Sequence, residues 1–279
     1  MVLATVLTMA AAGLHATWNL LLKTAQDADR DLTSWGLFLV GGLLVTPVVV
    51  VLGGPGRAAV PWLALSGVVH VAYVTGLVGA YRHGDFSLAY PLARGGGALV
   101  AALGGAAFLG DRLSAPAWLA IAVVVAGLIS LIGHAVLAVT VRDALLTAAA
   151  IGTYTVVDAH GSRVSADSLA YGFASTATAA AGISLVFLAR GRGRALLAAW
   201  PANRTRWMVA GAASATAYAL VVVALGYAPV GYVAMLRESS VVLGALVGWR
   251  WLHEELGGRR LVSSVVIMAG LLGLVAVSL

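Results

Sequence analysis

Residues 94–113, RGGGALVAALGGAAFLGDRL, and residues 237–256, RESSVVLGALVGWRWLHEEL, share one frame at an offset of 143 positions. Each opens on an arginine and reaches a carboxylate seventeen residues later, Arg94 to Asp111 and Arg237 to Glu254. The same offset pairs Ala102 with Ala245, Leu103 with Leu246, Gly105 with Gly248, Leu109 with Leu252 and Leu113 with Leu256. Further on it pairs Ala126-Gly127-Leu128 with Ala269-Gly270-Leu271. Register held over that length marks an internal duplication. Duplicated membrane chains place their substrate site at the interface of the two halves, near the bilayer midplane. An arginine at the bilayer centre costs about 2.5–3.5 kcal/mol on insertion scales, so a basic residue repeated in both halves is the first functional lead.

Composition sets the class. Of 279 residues, 61% are hydrophobic and 10% charged, with a mean hydropathy of +0.97, values that belong to a chain solvated by lipid. The absence of cysteine excludes disulfides, thiolate metal sites and thiol catalysis. A formal charge of +6 would suggest nucleic acid in a soluble protein, but the arginines sit in short connections without interleaved aromatics, so no nucleic-acid partner is expected. The opening apolar stretch lacks the basic start of a signal peptide and reads as a first membrane helix.

About 20 apolar residues cross the hydrocarbon core. Ten stretches qualify: 3–22, 34–52, 62–81, 87–109, 117–133, 144–162, 168–189, 207–226, 230–251 and 261–278. Between them lie turn-forming residues such as Gly53-Gly54-Pro55-Gly56, Pro61, Pro116, the Arg190–Arg194 run, Pro201 and Pro229. The expected fold is all-α, a polytopic membrane protein with ten transmembrane helices in two inverted five-helix repeats, residues 1–139 and 140–279. The inversion follows because five spans per half is an odd number. Loop arginines, with Arg204 and Arg206 counted in a loop before helix eight, put both termini outside by the positive-inside rule.

Leu109-Gly110-Asp111-Arg112-Leu113 and Leu252-His253-Glu254-Glu255-Leu256, closing the fourth and ninth helices, resemble the EamA branch of the drug/metabolite transporter superfamily. The likeness covers the whole chain. The segment His15-Ala16-Thr17-Trp18-Asn19, followed by Lys23, also resembles a subgroup associated with phosphonate use. The resemblance implies a bacterial cytoplasmic (inner) membrane, cytoplasmic termini in opposition to the loop charge, and a central cavity lined by helices one, three, four, six, eight and nine.

The candidate substrate-binding residues are Arg94, Arg237, His15, Trp18, Asn19, Tyr73, Tyr90, Asp158, Tyr218 and Glu238. At 1.5 Å rise per residue, His15 and Arg94 fall at one level, while Asp158, Arg237 and Glu238 fall at another. Guanidinium groups hold carboxylate or phosph(on)ate through bidentate, charge-assisted hydrogen bonds. An equally open reading pairs Arg237 with Asp158 or Glu238 as a structural ion pair. His15 and Asp158 are the candidates for proton coupling. Thr75 and Thr216 are expected in the cavity wall with the tyrosines. Asp111 and Glu254 read as architectural helix-end charges, and His70 and His160 as packing residues.

The expected function is secondary transport of small polar metabolites, amino-acid-like and bearing a carboxylate or phosphonate, by alternating access. A flippase of a lipid-linked phosphosugar and an exporter of organic cations are the alternatives. No nucleotide-binding, metalloprotease or triad motif supports an enzyme. No cofactor or metal is expected. The expected partners are a small-molecule substrate and membrane lipid, with the chain a monomer or homodimer.

Overall fold

A computed structural model describes residues 1–23, 30–83, 86–130, 138–240, 242 and 258–278. Among them are ten α-helices: α1 Val2–Lys23, α2 Arg30–Val51, α3 Val60–His83, α4 Phe86–Phe108, α5 Ala115–Ser130, α6 Ala138–Val164, α7 Ser168–Ala189, α8 Gly193–Leu225, α9 Val230–Arg237 and α10 Gly258–Ser278. The protein is a multi-pass integral membrane protein. Four stretches meet both the length and the apolarity of a crossing, Leu32–Val51, Arg57–Leu77, Ser168–Ala189 and Gly193–Leu225. On the outer surface Val51 and Phe108 are 85% and 82% exposed, an arrangement that lipid stabilises and water would not.

The helices pack in a reciprocal pattern. α2 lies on α7, α4 on α9 and α5 on α10, while α3 lies on α6 as α1 lies on α8. Exchanging each helix with the one five places later reproduces these contacts, as a two-fold relation between halves requires. We propose on this ground that residues 1–139 and 140–279 are the two repeats. α5 and α10 pair at one end of the bundle, leaving the remaining helices around the centre.

Small residues set the closest approaches. Where α2 crosses α8, a Cβ added at Gly211 would lie 2.7 Å from the backbone N of Gly41 and from the Leu37 carbonyl. One added at Gly41 would lie 2.9 Å from the Gly211 oxygen. Backbone thus meets backbone, giving dispersion contact in a solvent where apolar burial alone supplies no drive. A polar weld joins the helix ends. Asp111 Oδ1 accepts from Arg163 Nη2 at 2.9 Å, and its Oδ2 accepts from the Val230 N–H at 2.6 Å. The carboxylate therefore neutralises an arginine at the end of α6 and caps the positive N-terminus of α9. Arg163 also donates through Nε to the Leu225 carbonyl at the end of α8. Glu254 and the rest of its motif lie outside the described residues.

The expected boundaries need two corrections. α8 starts at Gly193 rather than 207 and runs 33 residues, with Pro201 inside it. At 1.5 Å per residue that is about 50 Å, well beyond a hydrocarbon core of about 30 Å. Ala195, Leu196, Leu197, Ala198 and Ala199 favour helix strongly enough to extend it before the proline, so Arg204 and Arg206 ride on a helix rather than in a loop. Pro61 and Pro116 likewise open helices instead of separating them, because a first-turn proline lacks only an N–H that has no intrahelical partner.

Gly211→Val should overpack the α2–α8 crossing and destabilise the protein by about 1–3 kcal/mol. The check is thermal melting of the detergent-solubilised variant; an unchanged midpoint would mean that the crossing is not tightly packed.

Candidate functional site

A cavity of about 60 Å³ lies at the centre of the bundle, enough for a few waters or a small ligand. His15 and Trp18 of α1, Tyr73 of α3, Arg94 of α4, Tyr218 of α8 and Arg237 of α9 line it. It also touches Phe38 of α2 and Thr176 of α7, so helices two and seven contribute besides the six expected. Both arginines are buried, Arg94 at 5% and Arg237 at 4% exposure.

The two arginines differ in their partners. Arg94 faces Glu238 side-on, with Nη2 2.8 Å from Oε1 and Nε donating to Oε2 at 3.3 Å. One hydrogen bond, from Nε, and a close ion-pair contact at Nη2 thus join α4 to the end of α9. Arg237 has no carboxylate within salt-bridge distance among the described residues, and its buried Nε has no hydrogen-bond partner. Its charge faces the cavity.

Local backbone geometry explains the split. Successive residues on a helix point about 100° apart, so Arg237 and Glu238 address different neighbours. α9 also tightens at Glu238, where φ is −68° and ψ −10° and the N–H donates to the Met235 carbonyl at 2.9 Å. Residues 239 and 240 are helical again. An interruption of this kind in a membrane helix is tolerated where it borders a cavity.

Asp158, expected at the level of Arg237, forms no ion pair with it among the described residues. It is fully buried, outside the cavity lining, and receives four hydroxyls. Tyr171 donates to Oδ1 at 2.9 Å, and Ser66 and Ser175 donate to Oδ2 at 2.9 and 3.2 Å. Tyr218 donates to the same oxygen in a short hydrogen bond. Glu238 also stands behind the wall, occupied by Arg94. Thus neither carboxylate is among the cavity-lining residues.

The other expected residues divide as follows. His15 and Trp18 meet edge to face at 4.9 Å, with Trp18 Nε1 donating to His15 Nδ1 at 3.2 Å. Thr75 and Thr216 are exposed on the bundle exterior, and Thr75 is satisfied by the Val71 carbonyl. The side chains of Asn19 and Tyr90 lie outside the described residues. His160 packs on Trp62 at 4.2 Å, as expected.

His70, expected as a packing residue, is in the cavity wall. It stacks on Tyr154 at 4.2 Å and meets Tyr73 and Tyr218 edge to face. The signal was present in the spacing: Ser66, His70 and Tyr73 stand at i, i+4 and i+7 and share one helical face. Tyr154, Tyr171 and Ser175 were missed because a hydroxyl in an apolar helix carries no mark of where it points.

Residues 143–276 match the model of the EamA-like transporter family. No curated protein matches the chain. A solved structure titled "Crystal structure of protein" is similar at a TM-score of 0.77 with 17% identity, covering 99% of this chain and 97% of that one; the likeness is one of fold.

Stability should separate the two arginines. Arg94→Met leaves Glu238 buried without a counter-charge and should cost about 3–5 kcal/mol. Arg237→Met removes a charge that has no carboxylate partner among the described residues and should be neutral or stabilising, as replacements of functional residues often are. Chemical denaturation in detergent measures both, and equal losses would mean that Arg237 is a structural residue.

Proposed function

We propose that this chain, a member of the EamA-like transporter family through residues 143–276, carries small amino-acid-like metabolites bearing a carboxylate or phosphonate. Family membership makes it a membrane transporter and not an enzyme. The substrate reading rests on one observation: Arg237 is buried in the cavity wall with its Nε unpartnered and no carboxylate in ion-pair contact among the described residues.

A lone guanidinium in a low-dielectric interior is costly unless an anion joins it. Because Glu238 neutralises Arg94, the described part of the cavity wall presents one unmatched cation, suited to a single negative group. The carboxylate of an amino acid meets that requirement, and its ammonium can lie against the faces of Tyr73, Tyr154 and Tyr218 by cation–π attraction. Cavity size supports a small ligand. The reciprocal packing of α1 with α8 and α3 with α6 supports alternating access, with the halves rocking about this site. The membrane we assign is the bacterial cytoplasmic (inner) membrane.

The test is a thermal-shift screen of the purified protein with amino acids, aminophosphonates, organic phosphates and organic cations. A ligand at about 100 times its Kd adds about 2.7 kcal/mol of apparent stability. Arg237→Lys should weaken binding of the best anion about tenfold or more despite keeping the charge, since lysine lacks the planar fork. Binding of organic cations alone, or normal affinity in Arg237→Lys, would refute the anion reading.

A further inference from the structure

The hydrogen bonds of His70 are both at one nitrogen. Nδ1 is 2.9 Å from the Ser66 carbonyl oxygen, which only accepts, so Nδ1 carries a hydrogen and donates. The same nitrogen is 3.2 Å from Ser66 Oγ, and Ser66 Oγ donates to Asp158 Oδ2 at 2.9 Å. The result is a continuous chain from the cavity wall to a fully buried carboxylate. Nε2, the nitrogen without those bonds, is left for the cavity that His70 lines.

We infer that the His70–Ser66–Asp158 chain is the proton-binding site of the transporter and that a proton and the anionic substrate are taken up together. This rests on the anion reading of Arg237. The step balances: Nε2 takes a proton from the cavity, Nδ1 passes its own to Ser66 Oγ, and the serine passes its hydrogen to Asp158 Oδ2. His70 ends neutral with its hydrogen on the other nitrogen, and the carboxylate ends as the acid.

Charge arithmetic makes the uptake joint. Arg94 and Glu238 cancel, Arg237 contributes one positive charge, and Asp158 one negative charge. Among the described residues the empty site with an ionised Asp158 is therefore neutral, as is the site holding one proton and a ligand of net charge −1, a class that includes a simple carboxylate or an aminophosphonate with a doubly ionised phosphonate and leaves out a zwitterionic amino acid. Either ligand alone leaves an excess charge in a low-dielectric interior, which is unfavourable. Proton and anion then strengthen each other's binding reciprocally.

The groups around the chain are consistent with this route. Tyr73 of α3, Tyr154 of α6 and Tyr218 of α8 surround the imidazole, and α7 supplies Tyr171 and Ser175 to the carboxylate. Arg94 of α4 and Arg237 of α9 border the same cavity, as does His15 of α1. His15 suits the role less well: its Nδ1 already accepts from Trp18, and a proton there would displace that bond and add a cation to a cavity that already holds two guanidiniums.

The probe is acetate, which keeps its charge above about pH 6, added at matched pH to weakly buffered protein in detergent while an indicator dye reports proton uptake. Acetate binding is scored separately by thermal shift. Wild type should take up about one proton per bound acetate near pH 7, with affinity falling up to about tenfold per pH unit as pH rises. Asp158→Asn should bind acetate with no proton uptake and a flat pH dependence, and His70→Gln should lower the uptake. Should Asp158→Asn fail to fold, the pH dependence of wild type decides. Acetate binding without proton uptake, or uptake that persists in Asp158→Asn, overturns the proton site and leaves the anion reading standing. Absence of acetate binding at every pH removes the anion reading and the inference with it.

Discussion

The carboxylate of Glu238 closes on the guanidinium of Arg94 in the middle of the bundle, and the electrostatics of the surrounding cavity follow from that pairing. In an apolar interior each ion needs a counter-charge, and the described part of the site offers few. Once Glu238 has gone to α4 and Asp158 to four hydroxyl groups, Arg237 is left as the cation of the described cavity wall. An ion pair that ties α4 to α9 thereby also determines which arginine is available to a ligand.

The same pairing depends on how α9 is held. Residues 230–237 are helical and Glu238 keeps a helical φ of −68°, so its side chain leaves α9 where a regular helix would place it, beside Arg94, and the altered ψ redirects only the residues that follow. Asp111 supports this arrangement from the opposite end of α9. By capping Val230 and pairing with Arg163, it anchors the start of the helix to the ends of α4 and α6. One short helix is thus held at both ends by carboxylate chemistry, and its last residue carries the charge that faces the cavity. Its eight residues are all buried, so packing fixes its rotation as well.

Around this charged centre the wall is aromatic. Tyr73, Tyr154, Tyr218 and His70 form one ring cluster in which each ring touches at least two others. Tyr218 belongs both to that cluster and to the hydroxyl shell of Asp158, so motion of α8 would disturb the cavity face and the buried carboxylate together. Such shared residues are where a rocking movement of helices and a change of hydrogen bonding can be linked.

Hydropathy alone determined that this chain lies in a membrane as about ten apolar helices, because a lipid solvent imposes its thickness on the length of every span. The scarcity of charge in those spans also singled out Arg94, Arg237 and His15, which the cavity brings together. Helix ends were less legible: strong helix formers carried α8 through Pro201, and prolines in first turns opened helices that they were expected to divide. Which carboxylate serves which arginine was decided by tertiary structure, since the rotation of packed helices has no signature in apolar spacing. The same holds for Asp158, whose four hydroxyl donors come from α3, α7 and α8 and none from its own helix. His70 lies between these cases: its face could be read from Ser66, His70 and Tyr73, but only the packing of α3 against α6 turned that face toward the cavity and joined it to a carboxylate 88 positions away.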